Sequence, residues 1–205
     1  MMRKHALLLV SGLFAMSTPS VWGVPTIDVG SFNLLENTPG QTIEIAVAGG
    51  DAVQGLNLYV ATGDGGELAG GVDGSAPAIT GVDLISSGLV FGASNTGQTT
   101  PDPQPQLVSA STTTNESVAA TVAAQGALAR ITIDTTGFFY DEAVAANNAF
   151  ALSLDLTDSL GVATDFAGVA ADITNGQIVL VAVPEPALAL TALSALPVLM
   201  GRRRR

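Results

Sequence analysis

Apolar and polar residues alternate in short runs through the middle of this chain. From Thr42 to Ala48 the order is Thr-Ile-Glu-Ile-Ala-Val-Ala, which sets Ile43, Ile45 and Val47 on one side. Leu56, Leu58 and Val60 repeat the pattern, and so do Ala127, Ala129, Ile131 and Ile133, opposite Leu128, Arg130, Thr132 and Asp134. Ala149–Leu156 and Gln177–Val181 are shorter runs of the same kind. A period of two bounded by turn formers predicts strands with one buried face. The turn formers are Thr38-Pro39-Gly40, Gly49-Gly50-Asp51, Gly63-Asp64-Gly65-Gly66 and Asn175-Gly176. A helical repeat is suggested only over Asp141–Asn147, which is short and alanine-rich. Ala93–Gln106, rich in Thr, Gln, Asn and Pro, is expected to be a long exposed loop; Ser109–Thr121 is expected to be a strand followed by a polar hairpin loop. The spacing predicts an all-β fold, a single antiparallel β-sandwich of about eight or nine strands with jelly-roll or Greek-key connections. Alternation alone leaves the strand order open.

The two ends depart from this pattern. Arg3 and Lys4 precede an apolar stretch from Ala6 to Met16, and small residues follow. That is the layout of a signal peptide, here a signal helix, with acceptable cleavage positions at Val21-Trp22-Gly23 before Val24 or after Ser20. At the other end, Val183-Pro184-Glu185-Pro186 leads into an apolar run from Ala187 to Gly201, and then into Arg202, Arg203, Arg204 and Arg205. The prolines keep the chain out of helix and strand and hold it extended for a processing enzyme. The run is short for a spanning helix, which usually needs roughly 20 residues, and Pro197 interrupts it. Arginines flanking an apolar segment stay on the cytoplasmic face. The expected organisation is residues 1–23 as signal peptide, 24–182 as the β-sandwich, and 183–205 as a tail with a short transmembrane helix.

This tail resembles the PEP-CTERM sorting signal, a tripartite signal on exported bacterial proteins. The resemblance rests on Pro184-Glu185-Pro186, the short apolar span and the Arg cluster standing in that order. It implies recognition and cutting by an exosortase-type membrane protease. It also implies a transient membrane anchor, then delivery to the cell surface or to an exopolysaccharide matrix.

Removing both ends changes the charge. Between Val24 and Val183 stand seventeen Asp and Glu against the single cation Arg130, a formal charge of −16, with no Lys, His, Cys or Trp. Such a domain repels polyanions, so DNA, RNA and anionic lipid surfaces are poor partners. Without cysteine there is neither a disulfide scaffold nor a thiolate metal site. Without His, Cys or Lys there is no Ser-His-Asp triad, Cys-His pair, histidine-bound metal or Schiff base. A carboxylate pair, as in glycoside hydrolysis, is the chemistry left, and seventeen carboxylates make some pair unavoidable. The expectation is no enzyme.

The strands Ile43-Glu44-Ile45-Ala46-Val47, Val53-Gln54-Gly55-Leu56-Asn57-Leu58 and Leu128-Ala129-Arg130-Ile131-Thr132-Ile133 resemble those of cohesin-like domains, over much of residues 26–181. Cohesins are jelly-roll sandwiches related to some carbohydrate-binding modules. The resemblance implies a binding or scaffold module, and it carries no binding residue across.

Three candidate sites follow from the residues. Oxygen-only ligand sets suit Ca²⁺ as a cofactor; the acidic clusters are Asp64, Glu67 and Asp73 in the Gly-rich loop, and Asp155, Asp158 and Asp165 further on. Neither has EF-hand spacing, and the competing reading is that these side chains bond their own turns. Phe138, Phe139 and Tyr140 are consecutive, so in a strand they cannot share one face; a partner contact and a core role stay open. Arg130 reads as a strand-surface residue paired with a nearby acid. The expected function is a non-enzymatic structural or interaction protein of the surface or matrix. A carbohydrate-binding module for exopolysaccharide and a calcium-dependent adhesion module are the alternatives.

Overall fold

In the computed structural model, residues 23–49, 52–101, 103–116, 121–156 and 162–184 are described. The signal-peptide reading, Asp158, Glu185, Pro186, the apolar run and Arg202–Arg205 lie outside them. The alternating runs become strands. In chain order the early strands are β1 (Thr26–Asp28), β2 (Ser31–Leu35), β3 (Gln41–Ala48), β4 (Ala52–Val53), β5 (Gly55–Thr62) and β6 (Ala78–Asp83). Then come β7 (Gln98–Thr99), β8 (Leu107–Thr113), β9 (Val122–Ala123), β10 (Gly126–Asp134) and β11 (Ala149–Ser153). The last are β12 (Asp155–Leu156), β13 (Val162–Ala163), β14 (Asp165–Phe166), β15 (Val169–Ala170), β16 (Asp172–Thr174) and β17 (Gly176–Val181). Eight of these strands have five or more residues, and the other nine have two or three, against the expected eight or nine in all.

They form two main sheets. One has the order β16-β1-β3-β10-β6. In the other, β5 carries β8 and then β7 on one side, and β11-β17-β2 and β14-β15 on the other. Ile43, Ile45, Val47, Ile131 and Ile133 of the first sheet face Leu56, Leu58, Val60 and Val108 of the second, all buried in one core. Phe91, Leu84, Leu154 and Phe166 fill its margins. Burying each such side chain contributes about 1.5–3 kcal/mol relative to exposure, and this core is what holds the sheets together in a chain with no cysteine.

Three expectations are corrected. Leu128 was expected opposite the isoleucine face, yet Leu128 and Ala129 are both fully buried. The register with β3 shifts between Ala127 and Ala129, and such a bulge places two residues against one and resets the alternation. The sandwich is also not wholly antiparallel, because β1 pairs parallel with β16 and β17 parallel with β2. Parallel neighbours need a long crossover between them, and here nearly the whole chain serves as one. Finally, Ala93–Gln106 is not simply an exposed loop. It contains β7, and Ser94 and Gln106 are buried. The Gln98 side-chain amide bonds the backbone of β6 and its neighbour, Nε2 to the Val82 carbonyl at 2.8 Å and Oε1 from the Leu84 N–H at 2.8 Å. The alanine-rich stretch yields only a 3₁₀ turn, Ala145–Asn148.

Strand direction sorts the loops. β2, β5, β10 and β17 run towards one end of the sandwich, and β3, β6, β8 and β11 run away from it. The segments 36–40, 63–77, 100–106 and 135–148, together with the exit at Val183, therefore gather at a single end. Hydrogen bonds join them there: Asn37 N–H to the Phe138 carbonyl, Ile79 N–H to the Pro105 carbonyl, Thr62 Oγ1 to the Pro77 carbonyl.

Candidate interaction surface

The outer side of β5 and β8 presents no charged side chain of its own, and Asp165 of β14 borders it. Leu56, Leu58 and Val60 point inwards, so Asn57 and Tyr59 point out; across the ladder Val108 and Ala110 are buried, while Ser109 and Ser111 are half-exposed. The register sets Asn57 against Ser111 and Tyr59 against Ser109, with Thr99 of β7 beside Ser111. A shallow hollow of about 90 Å³ lies here, lined by Asn57, Tyr59, Pro101, Ser109 and Ser111. One flank is closed by Asp165, whose Oδ1 accepts from Asn57 Nδ2 at 2.9 Å. At the other, Tyr59 packs on a small apolar cluster of Ala61, Leu107 and Leu156. Between β11 and β14, the edge of β5 is completed by a side chain: Thr164 Oγ1 accepts the Tyr59 N–H at 3.0 Å and donates to the Tyr59 carbonyl at 3.2 Å. Sequence reasoning picked out the apolar half of this strand and passed over its outer half. The signal was present in Leu-Asn-Leu-Tyr-Val and Val-Ser-Ala-Ser-Thr, where every outward residue is polar and neutral.

Asp64 and Asp73 of the first acidic cluster accept hydrogen bonds within the Gly-rich loop. Asp64 Oδ1 accepts from Ser75 Oγ at 2.8 Å and from the Gly66 N–H at 3.1 Å, and Oδ2 accepts the Val72 N–H at 3.0 Å. These donors, the Ser75 hydroxyl first, hold its pKa below the ordinary carboxylate value although the group is exposed. Asp73 accepts the Glu67 N–H at 3.0 Å, and Glu67 opens a 3₁₀ turn, Glu67–Ala69. The loop is locked from below by buried Gln106, which accepts the Gly74 N–H and donates to Ser75 Oγ and the Ala76 carbonyl. In the later cluster the backbone of Asp155 pairs with Ala163 in β13, the Asp165 side chain bonds Asn57 and the Gly168 N–H, and Asp158 lies outside the described residues. Among the described residues no three acids form a group that could hold a metal ion. In the Gly-rich loop the Asp64 and Asp73 side chains bond the local backbone.

Phe138 is half-buried and meets Phe150 edge-on, ring centroids 5.4 Å apart, whereas Phe139 is 64% exposed and Tyr140 40%. The aromatic triplet thus divides between core and surface. Arg130 Nε bonds Glu44 Oε1 at 2.6 Å across the ladder. Asp83 stands on its other side; burial raises the Asp83 pKa, but the Ser86 hydroxyl, the Ile85 and Ser86 N–H groups and the Arg130 charge outweigh it, and the net shift is downward. Of the tail motif, Val183 donates its N–H to Glu36 Oε1 at 3.1 Å, while Glu36 Oε2 accepts the Tyr140 N–H at 2.8 Å. Pro184 follows, exposed.

No protein-family model matches this chain, and no curated protein does. Solved structures do. The seventh ScaB type I cohesin from Pseudobacteroides cellulosolvens superposes with a TM-score of 0.52 at 14% identity, over 80% of this chain and 96% of that one. A cohesin in a type I cohesin–dockerin complex from Clostridium thermocellum gives 0.53 at 12% identity, over 78% and 96%. The third cohesin ScaC of Acetivibrio cellulolyticus, in complex with the ScaB dockerin, gives 0.50 at 13% identity, over 77% and 99%. At these identities the likeness is one of architecture: the described domain is a cohesin-like β-sandwich.

Proposed function

We propose that this chain is an exported, non-enzymatic interaction module of the cell surface or matrix, which binds another protein through the outer face of β5 and β8. The uncharged plateau of Asn57, Tyr59, Ser109 and Ser111, on a domain of formal charge −16, carries this reading. Interface centres are depleted of charge and enriched in Tyr, because a charge buried against a partner must be desolvated. Two of the similar solved cohesins are in complex with dockerin domains, which supports a protein as the partner. Export and sorting rest on the Arg3–Met16 leader and the PEP-CTERM-like tail, with an exosortase-type protease as the processing partner.

The test places a photo-crosslinking side chain at Ser111, or at Thr132 on the opposite sheet, in cells that make the protein. Ser111 should give a discrete protein adduct that the double substitution Ser109→Arg, Ser111→Arg removes from a neighbouring probe at Thr113, while Thr132 gives none. Equal adducts from both sheets would sink the assignment of the face. For sorting, Glu185→Ala or deletion of Arg202–Arg205 should leave unprocessed protein in the membrane fraction, and unchanged mass and release would count against the tail reading.

A further inference from the structure

Nine large apolar side chains stand exposed among the described residues, and seven of them lie at the end of the sandwich where the chain departs at Val183. Leu68 and Val72 are on the Gly-rich loop, Phe139, Tyr140 and Val144 on the 135–148 segment, and Leu35 and Val183 at the exit itself. Only Val24 and Val169 are elsewhere. The exit is fastened to this end: Glu36 takes the N–H of Val183 on one oxygen and that of Tyr140 on the other. Ala187, where the apolar run starts, is four residues beyond Val183. At roughly 3.3–3.6 Å per residue the run cannot begin more than about 14 Å from the domain. The headgroup layer of a bilayer is about 5–7 Å thick on each side.

We propose that this loop end is a membrane-facing surface. While the tail is inserted, Phe139, Tyr140, Leu68 and Val72 sit in the headgroup layer of a zwitterionic bilayer and hold the domain upright. This inference rests on the reading of the tail as a membrane anchor. Aromatic side chains favour the membrane–water interface, where the ring is half-wet, and apolar loop tips contribute in proportion to the area they bury. The same loops carry Glu36, Asp64, Glu67, Asp73, Asp141 and Glu142 and no Lys or Arg. Anionic headgroups therefore repel this end, and neutral ones suit it. An upright domain presents the outer faces of both sheets sideways, away from the bilayer.

The experiment uses the chain from Val24 to Arg205, without the leader and so without its single tryptophan, Trp22, and with either Phe139→Trp or Val169→Trp as sole reporter. Both positions are exposed, so neither reporter crowds the core; Val72→Trp is a second reporter at the loop end. Each chain is reconstituted into phosphatidylcholine vesicles with lipids brominated at known depths. The reporters at 139 and 72 should emit further to the blue and be quenched by shallow bromines, while the one at 169 keeps the emission of a water-exposed ring. Adding phosphatidylglycerol should reduce the quenching. Chains that float with the vesicles but show equal, weak quenching at 139 and 169 overturn the proposal and leave the anchor standing. A reporter at 139 shielded from aqueous acrylamide yet untouched by bromine means that protein, not lipid, covers this end, and also overturns it. Chains that do not float at all remove the anchor reading and this proposal with it.

Discussion

Thr135 shows how one residue ties three segments. It is fully buried, and its hydroxyl lies 2.7 Å from the Leu35 carbonyl and 2.9 Å from that of Thr38, while accepting the Thr38 N–H at 2.9 Å and Gln41 Nε2 at 3.2 Å. Thr135→Val keeps the shape and removes the partners of buried groups, which costs about 1–3 kcal/mol. Urea unfolding should show that loss, with Thr135→Ser recovering most of it; an unchanged midpoint for the valine variant would contradict the assignment. Asp64 is a second such residue, and its effect depends on pH. Its folded pKa lies below 3.8, so the carboxylate contributes stability above that value and loses it as pH falls through the lowered folded pKa. Asp134, held by the Thr136 hydroxyl and N–H, and Asp141, held by the Asn147 amide and the Val144 and Ala143 N–H groups, shift the same way. These three carboxylates therefore contribute less stability as pH falls below about 4, against the relief of self-repulsion that protonating the other carboxylates brings. Asp64→Asn should be less stable at neutral pH and show a shallower acid limb, and parallel limbs would refute the loop-locking role.

Among the elements, β17 depends on a close backbone approach. Gly176 opens it just after Asn175, whose Oδ1 accepts the Leu154 N–H at 2.9 Å. A Cβ on Gly176 would collide with the Gly30 carbonyl oxygen and press on Val29. The parallel register with β2 leaves neither strand room to move, because Gln177 to Val181 pair with Ser31 to Leu35 without a break. Gly176→Ala is expected to cost more than the roughly 1–3 kcal/mol of ordinary overpacking. Gly81→Ala on the edge strand meets only the Thr132 side chain, at 3.5 Å, and should be nearly neutral. Comparable thermal shifts for the two would refute the account of this strand pair.

For the whole molecule, charge is the dominant long-range term. Between Val24 and Val183 seventeen carboxylates face one arginine, and the Arg130–Glu44 pair, half-exposed on both sides, offsets little, since exposed pairs contribute about 0–1 kcal/mol. Self-repulsion of this kind disfavours the compact state and is screened by salt, the Debye length falling to about 3 Å at 1 M. NaCl should raise the melting temperature gradually. The Asp64 oxygens already take three donors and no three acids group among the described residues, so CaCl₂ at matched ionic strength should follow the same curve. A saturable extra shift with Ca²⁺ would instead reveal a bound ion.

Much of this was legible along the chain because burial on one face of a strand is a local property. The runs around Ile45, Leu58, Ile131 and Ile178 showed their inner faces directly, and the charge of the domain is a matter of counting. Long-range pairing was not legible. The bulge that buries Leu128 beside Ala129 depends on the register with β3, and the parallel joining of β2 to β17 brings together residues some 146 positions apart. The same holds for the partners of Asp64, because Ser75 and Val72 reach its oxygens only once the loop folds back over it. The sequence by itself determined the strands, the acidity and the two unusual ends. Only the tertiary structure decided which polar residues share the plateau of β5 and β8, and which apolar loop tips meet at the exit of the tail, because those are consequences of strand order and direction, which a period of two does not encode.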